Sequence, residues 1–168
     1  MHSSQIIYYG KHTSRFGLCT IGIDANQICY LGFLKKNQDE RQLYKSLFPH
    51  ATLVHRAKRA KILIDKIFSK NGGQNTLPLL LNGTPFQIKV WKALLQIPMR
   101  KLVSYQDIAC AIGNNKAARA VGNAIAANHI AYLIPCHRVI KQSGEIGKYR
   151  WGSDRKGAMI AWEKTTSG

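Results

Sequence analysis

The sequence predicts an α+β protein of two parts: a small N-terminal domain with an antiparallel sheet over residues 1–81, and a mainly helical C-terminal domain over residues 82–168. Three observations support this division. Short strand-like segments fill the first part of the chain, helix-start signals recur in the second, and the composition changes at Asn82-Gly83. With 168 residues, 45% of them hydrophobic, the chain can bury a core in each part.

Short strands dominate the predicted N-terminal domain. Residues 5–9, 17–24 and 27–34 are rich in Ile, Tyr, Leu and Cys, and Asp24-Ala25-Asn26 separates the second segment from the third. This pattern predicts antiparallel strands joined by a turn. The apolar residues 77–81 predict one more short strand.

Two helices are predicted in the same domain. Residues 38–48 have the pattern of a short helix that ends before Pro49. Residues 55–69 predict a basic amphipathic helix, which Asn71-Gly72-Gly73 ends. Its buried stripe is expected to consist of Ala60, Leu63, Ile64 and Ile67.

Three helices are predicted after Gly83. Thr84-Pro85-Phe86-Gln87 supplies a cap, a proline at the first helical position and a capping box, and this helix runs until Pro98. Ser104-Tyr105-Gln106-Asp107 starts a second helix in the same way, and Gly113 ends it. Residues 116–127 form the third. The last two helices predict either a helix-turn-helix or an ordinary helical hairpin.

The third helix carries few side chains that can read bases. Only Arg119 and Asn123 could contact base edges. Most of the other residues, Ala120 and Gly122 among them, are Ala or Gly. Sequence readout needs several Arg, Asn or Gln side chains at base edges. This helix can approach DNA closely but discriminates little, which favours a protein that scans DNA without sequence preference.

The charge balance indicates a polyanionic partner. Lys and Arg number 25 against 8 Asp and Glu, a formal net charge of +17, and the sequence pI is about 10.1. Nucleic acid is the first candidate and an acidic membrane surface the second, with a merely solvated basic surface as the alternative. No apolar run approaches the roughly 20 residues of a membrane span, and residues 1–10 lack a signal-peptide pattern. We therefore expect an intracellular, cytoplasmic protein.

The chain has four cysteines, and none belongs to a Cys-x-x-Cys pair. The usual zinc-finger spacing is therefore missing, and no metal or cofactor is expected. Cys19, Cys29 and Cys110 lie among apolar residues and are interpreted as small core residues.

The fourth cysteine, Cys136, follows a predicted strand over residues 130–134. A thiol attacks only as thiolate, and a free cysteine has a pKa of about 8.5; a nearby imidazole can take the proton, and His137 and Arg138 follow at once with positive charge. Adjacent side chains of an extended segment point to opposite sides. Cys136 and His137 therefore meet only if the chain turns at Pro135 or if water carries the proton. A buried cysteine beside a surface histidine remains the alternative for a bare Cys-His pair.

The longer string Ile134-Pro135-Cys136-His137-Arg138-Val139-Ile140 resembles the signature of the methylated-DNA–protein-cysteine methyltransferases, also called O6-alkylguanine-DNA alkyltransferases. The resemblance is specific from about residue 82 to residue 163 and general before that. It implies a ribonuclease-H-like N-terminal domain and a C-terminal domain with a helix-turn-helix and an active-site cysteine loop. The further similar segments are Gly83-Thr84-Pro85-Phe86-Gln87, Val90-Trp91, Val103-Ser104-Tyr105, Ala109, Arg119-Ala120-Val121-Gly122, Asn128, Gly144, Gly147 and Tyr149.

The resemblance implies that Cys136 takes an alkyl group from O6-alkylguanine, or from O4-alkylthymine, in DNA. His137 would activate the thiol through water, and Glu163 would orient His137; a solvated helix-end glutamate is the alternative from sequence alone. Because the thioether product resists ordinary reductants, each molecule would act once, without a cofactor.

The resemblance also assigns residues around the substrate. Asn128 would hold the loop that carries Cys136 and line the pocket, Tyr149 would donate its hydroxyl to the base, and Lys156 would hydrogen-bond the active-site loop. Val139 and Trp151 complete the substrate-binding set.

On the DNA side, the family flips the damaged nucleotide out of the duplex. Arg119 would fill the gap that the base leaves, and Tyr105 would crowd its phosphate unless it is a core aromatic. The helix with Ala120, Gly122 and Asn123 would enter the minor groove of double-stranded DNA. The expected protein is a monomer that associates with the bacterial nucleoid and not with a membrane.

Three departures from the family pattern resemble the bacterial adaptive-response subfamily. His129 follows Asn128 where many members have Pro, Ala131 replaces another Pro, and Tyr149-Arg150-Trp151-Gly152 is bulky where others have Ser and Gly. Trp151 and Ala131 would favour methyl over benzyl groups, unless Trp151 packs against Trp162 or the core. That subfamily often carries a cysteine-rich zinc domain that senses methyl phosphotriesters; its cysteines do not occur in this sequence, so no sensor function is expected.

Three competing classes fit less well. A sequence-specific regulator is disfavoured by the Ala-rich helix and by the lack of a dimerisation heptad. A cysteine hydrolase usually has its Cys and His far apart in sequence. Alkyltransferase-like lesion binders replace the nucleophile with Trp, whereas this chain has Cys136.

Overall fold

The computed structural model describes residues 4–70 and 77–166. The chain divides into two compact units, Met1–Leu80 and Leu81–Gly168. The first is built on a mainly antiparallel sheet and the second is mainly helical, which confirms the predicted α+β class. The predicted helix stop at Asn71-Gly72-Gly73 lies outside the described residues.

The N-terminal unit contains a four-stranded sheet of order β3-β2-β1-β4 with two helices. Neighbouring strands are antiparallel except β4, which lies parallel to β1. Ala25 and Asn26, both with positive φ, make the turn between β2 and β3. The elements are β1 (Ile6–Ser14), β2 (Gly17–Asp24), β3 (Gln27–Phe33), α1 (Glu40–Leu47), β4 (Thr52–His55) and α2 (Ala57–Ile67).

Helix α2 packs against β1, and this contact requires a glycine. A Cβ atom at Gly10 would lie 2.6 Å from Cβ of Ala60, closer than two carbon atoms can approach. Ala60, Ile64 and Ile67 are buried as predicted, whereas Leu63 is only half-buried.

Two predictions in this unit are wrong. His55 was placed in the basic helix, but it is the last residue of β4 and pairs with Tyr9 of β1. Residues 77–81 form no strand; Leu79 makes a single bridge to Ile28. In both cases the partner is distant in sequence, so the local pattern carries no signal for it.

The C-terminal unit packs four helices around a short parallel strand pair. Capping boxes at Thr84 and Ser104 start α3 and α4 where the sequence predicts them. Gly113, with φ of 80°, follows the end of α4 before the turn into α5. The elements are α3 (Pro85–Leu94), β5 (Val103–Ser104), α4 (Tyr105–Ala111), α5 (Ala118–Ala126), a 3-10 helix (Cys136–Arg138), β6 (Val139–Ile140) and α6 (Ser153–Thr165).

The predicted strand over residues 130–134 is absent, and this segment turns instead. Tyr132 has a φ of 67°, and the backbone N–H of Leu133 donates to the Ala131 carbonyl at 2.6 Å. An apolar run of this length fits a strand or a buried turn equally well. The turning backbone brings Cys136 back toward Asn128.

Within residues 4–70 and 77–166, none of the helices has both the length and the apolar composition needed to cross a bilayer. The same part of the chain contains no group of three or more His, Cys, Asp or Glu side chains arranged to hold a metal ion.

Candidate active site

An open cleft of about 730 Å³ lies in the C-terminal unit between α5 and the loop before α6. Its volume is that of a site for a small organic group. Cys136 lies on its wall together with residues from both elements and Tyr105 of α4. The lining residues are Tyr105, Ala118, Arg119, Gly122, Asn123, Ile125, Ala126, Cys136, Lys141, Lys148, Tyr149 and Arg150.

Asn128 fixes the backbone around Cys136. Its side-chain nitrogen donates to the carbonyls of Ile130 and Ile134 at 3.2 and 3.3 Å, and its side-chain oxygen accepts from the backbone N–H of Ile130 at 2.9 Å. The same nitrogen lies 3.3 Å from Sγ of Cys136. Because Asn128 is buried, these bonds hold the turn firmly and present a donor to the sulfur.

Cys136 is a buried thiol at the start of the 3-10 helix, with 3% of its surface exposed. Burial raises its pKa, and the hydrogen bond from Asn128 and the charge of Lys156 offset part of that rise. The protonated thiol therefore dominates at neutral pH. Reaction as a nucleophile needs a base that removes the proton.

His137 can serve as that base. Its Nε2 bonds Oε1 of Glu163, which leaves Nδ1 as the proton-accepting nitrogen if Nε2 carries the hydrogen. Nδ1 is buried and bonds to no described residue. Burial lowers the pKa of His137 despite the neighbouring Glu163, so the ring is neutral at pH 7.

Glu163 accepts hydrogen bonds from three residues. Besides His137, Nε of Arg138 donates at 2.9 Å and the backbone N–H of Arg100 at 3.3 Å. Burial would raise the pKa of Glu163, but the bonds and charges of His137 and Arg138 outweigh it and lower the pKa. An ionised Glu163 orients the imidazole and stabilises its protonated form.

Arg138 contacts the site but is not among the predicted site residues. Its Nη1 donates to the Ile97 carbonyl at 2.7 Å while its Nε pairs with Glu163. It thereby helps to fix the carboxylate that bonds His137. Its position directly after His137 was the available signal.

Lys156 lies almost fully buried beneath the loop before α6. Its Nζ donates to the Lys148 carbonyl at 3.4 Å. Burial lowers its pKa to about 8, and the nearby Cys136 opposes that shift. A lysine that is still mostly charged at pH 7 stabilises a thiolate beside it.

Tyr149 and Arg150 form part of the loop wall of the cleft, and Trp151 follows them in the chain. A hydrogen bond from Tyr149 offsets part of the rise in the pKa of Cys136, and the Tyr149 hydroxyl also lies 3.5 Å from Sδ of Met159. Trp151 packs edge-on against Tyr149 with ring centroids 5.4 Å apart. Trp151 is not among the residues that line the cleft, but it contacts two that are, Tyr149 and Arg150.

Arg150 ties this loop to the end of α5. Its Nη1 donates to the Asn128 carbonyl at 3.0 Å and to the Ala127 carbonyl at 3.4 Å. Its guanidinium also lies 5.5 Å from the centre of the Trp151 ring. A cation at a helix C-terminus is favourable.

Helix α5 forms one wall of the cleft. Arg119 and Ala120 are exposed, and Arg119, Gly122 and Asn123 line the cleft. A Cβ atom at Gly122 would meet Tyr105 at an ordinary 3.8 Å, so packing within the chain does not require glycine there.

Five other predicted site residues are buried and do not line the cleft. They are Asn128, His137, Val139, Lys156 and Glu163. Of the remaining cysteines, Cys19 and Cys29 are buried, but Cys110 is exposed. Interpreting Cys110 as a core residue was wrong, because it lies on the solvent side of α4.

Comparisons with known proteins agree on one family. Residues 85–165 match the family model described as "6-O-methylguanine DNA methyltransferase, DNA binding domain". A probable methylated-DNA–protein-cysteine methyltransferase of Acanthamoeba polyphaga mimivirus is 40% identical over 140 residues, which are 80% of this chain and 91% of that protein.

A longer relative and a solved structure add to this. The bifunctional transcriptional activator/DNA repair enzyme Ada of Escherichia coli is 52% identical over 88 residues, 52% of this chain but only 25% of that protein. The crystal structure of Mycobacterium tuberculosis OGT in complex with DNA superposes with a TM-score of 0.79 at 32% identity, covering 95% of this chain and 94% of that one.

Proposed function

Because this chain belongs to the methylated-DNA–protein-cysteine methyltransferases, a family of DNA-repair enzymes, we propose that it repairs alkylated DNA by moving the alkyl group onto Cys136. The observation that carries the assignment is the buried Cys136 at the cleft wall, followed in the chain by His137, which bonds Glu163. The bonds of Asn128 around Cys136 support the same role.

The reaction is a single displacement. His137 takes the thiol proton through water at Nδ1, and the thiolate attacks the carbon bound to O6 of an alkylated guanine, or to O4 of an alkylated thymine. The S–C bond forms as the C–O bond breaks, and the electron pair stays on the base, which takes up a proton. The Tyr149 hydroxyl donates to the base, and Lys156 holds the loop and stabilises the thiolate.

The substrate reaches Cys136 as a flipped nucleotide in double-stranded DNA. We propose that α5 enters the minor groove, that Arg119 fills the gap in the base stack and that Tyr105 crowds the phosphate. The scarcity of base-reading side chains on α5 supports binding without sequence preference. The protein acts as a monomer in the bacterial cytoplasm, bound to the nucleoid.

Stoichiometry tests the proposal. Duplex DNA with a radiolabelled O6-methylguanine is mixed in excess with the protein, and protein-bound label is followed with time. We expect a plateau at about one methyl group per active molecule, because each transfer consumes one thiolate. Continued release of methyl groups beyond that plateau would identify a hydrolase instead.

Replacing Arg119 by alanine is expected to slow repair in duplex DNA more than reaction with the free alkylated base, because only the duplex must be opened. The two rate constants are compared in wild type and Arg119→Ala. Equal losses on both substrates would show that Arg119 supports the fold or the pocket.

A further inference from the structure

Positive charge is concentrated far from Cys136 in sequence as well as around it. Residues 1–80 contain twelve Lys and Arg against four Asp and Glu, a balance of +8. Residues 81–168 contain thirteen against four, a balance of +9. Nearly half of the charge therefore belongs to the N-terminal unit, none of whose described residues lines the cleft.

Helix α2 carries the densest part of that charge. Lys58, Lys61 and Lys66 are exposed on its solvent side, and together they are called the basic face of α2. None of the three has an ion-pair partner among the described residues. Asp65, the one acid in the helix, pairs with His12 of β1 at 3.2 Å.

The first turn of α2 lacks the acidic residue and the side-chain cap that usually stabilise the start of a helix. Helices favour acids in the first turn and a side-chain cap, because the first N–H groups carry partial positive charge. Here the first turn holds Lys58 and Arg59 with no acid, and Arg56 at the cap position makes no capping bond. Such an arrangement concentrates positive potential and becomes favourable when an anion lies nearby.

We propose that the basic face of α2 is a second phosphate-binding surface for duplex DNA, additional to α5 and the cleft. This inference rests on the proposed function for the identity of the polyanion. An acidic membrane is the less suitable partner, because a membrane-binding helix needs a continuous apolar face. The apolar residues Ala60, Ile64 and Ile67 are buried, and Ile62 is the one large apolar side chain exposed on this helix.

Salt dependence of binding tests the proposal. We compare the whole chain with the triple variant Lys58→Gln, Lys61→Gln, Lys66→Gln, using undamaged duplex DNA from low to moderate salt. Each phosphate contact contributes about 0.9 to the slope of log K against log salt, so the variant should lose about 2 to 3 from that slope. It should also bind more weakly at every salt concentration.

A matched control removes the same charge from elsewhere in the same unit. Lys35, Lys36 and Lys45 are exposed but lie outside α2, and their triple change to Gln should leave the slope at the wild-type value. Equal slopes for the two triple variants would overturn the proposal. The lysines of α2 would then attract DNA only through the overall charge of the protein and not through phosphate contacts of their own. Loss of binding to phosphatidylserine vesicles, with an unchanged duplex slope, would overturn it in favour of a membrane.

The rate of reaction with the free alkylated base tests the proposed function separately from the role of α2. Both triple variants should react with it at the wild-type rate, because no residue of the cleft is changed. If wild type takes up no alkyl group from any substrate, the proposed function fails while the slopes still decide the role of α2. If transfer is normal and the slopes are equal, only the second surface is rejected.

Discussion

Replacing Cys136 by alanine is expected to abolish alkyl transfer completely while DNA binding remains close to that of wild type. The change removes the acceptor atom, and no other described cysteine lines the cleft. Because Cys136 is small and buried, the substitution leaves only a small void. Label transfer from methylated duplex and the Kd for undamaged duplex measure the two effects.

Single alanine variants at Cys19, Cys29 and Cys110 are the controls. Burial raises the pKa of Cys29 to about 12, so it cannot compete as a thiolate, and Cys110 is exposed outside the cleft. All three variants should transfer at the wild-type rate if they fold. Mass spectrometry that located the alkyl group on any of these three residues would disprove the assignment.

Changing Glu163 to glutamine is expected to lower the transfer rate at pH 7 on the order of 10²-fold or more, the usual contribution of an acid–base group. Glu163 raises the pKa of His137 against the effect of burial. Without its charge the pKa of His137 falls further, and the protonated ring loses its partner. The rate in wild type should decline as the pH falls through the His137 pKa, below its ordinary value of 6.5.

The pH profile distinguishes this role from a structural one. In Glu163→Gln the acid limb should move to lower pH, because the remaining imidazole is harder to protonate. Asp154→Asn removes the same charge from an exposed position on the same helix and should change neither rate nor profile. An acid limb that stays in place in Glu163→Gln would mean that His137 is not the group that titrates.

The sequence predicted those features whose cause is local. Thr84 and Ser104 cap their helices through residues three positions away, so the helix starts could be read directly. Strand β4 was missed because its four residues are defined by pairing with β1, more than forty positions earlier. Residues 130–134 were misassigned because the hydrogen bonds of Asn128, and not apolar patterning, determine their path.

The candidate site follows the same rule. The motif around Cys136 indicated the nucleophile that we propose, and the family resemblance suggested Glu163, which the structure places in contact with His137. Neither the motif nor the family resemblance indicated that Arg138 pairs with Glu163 or that Lys156 is almost fully buried. Both facts depend on α6 folding back over the 3-10 helix.

All the groups assigned to the chemistry, from Asn128 to Glu163, belong to one continuous stretch of the C-terminal unit. Because the stretch is continuous, recombination can join it to a new neighbour without separating the nucleophile from its base. The segments around this stretch, and with them the biological context of repair, can therefore change in evolution while the reactive groups stay together.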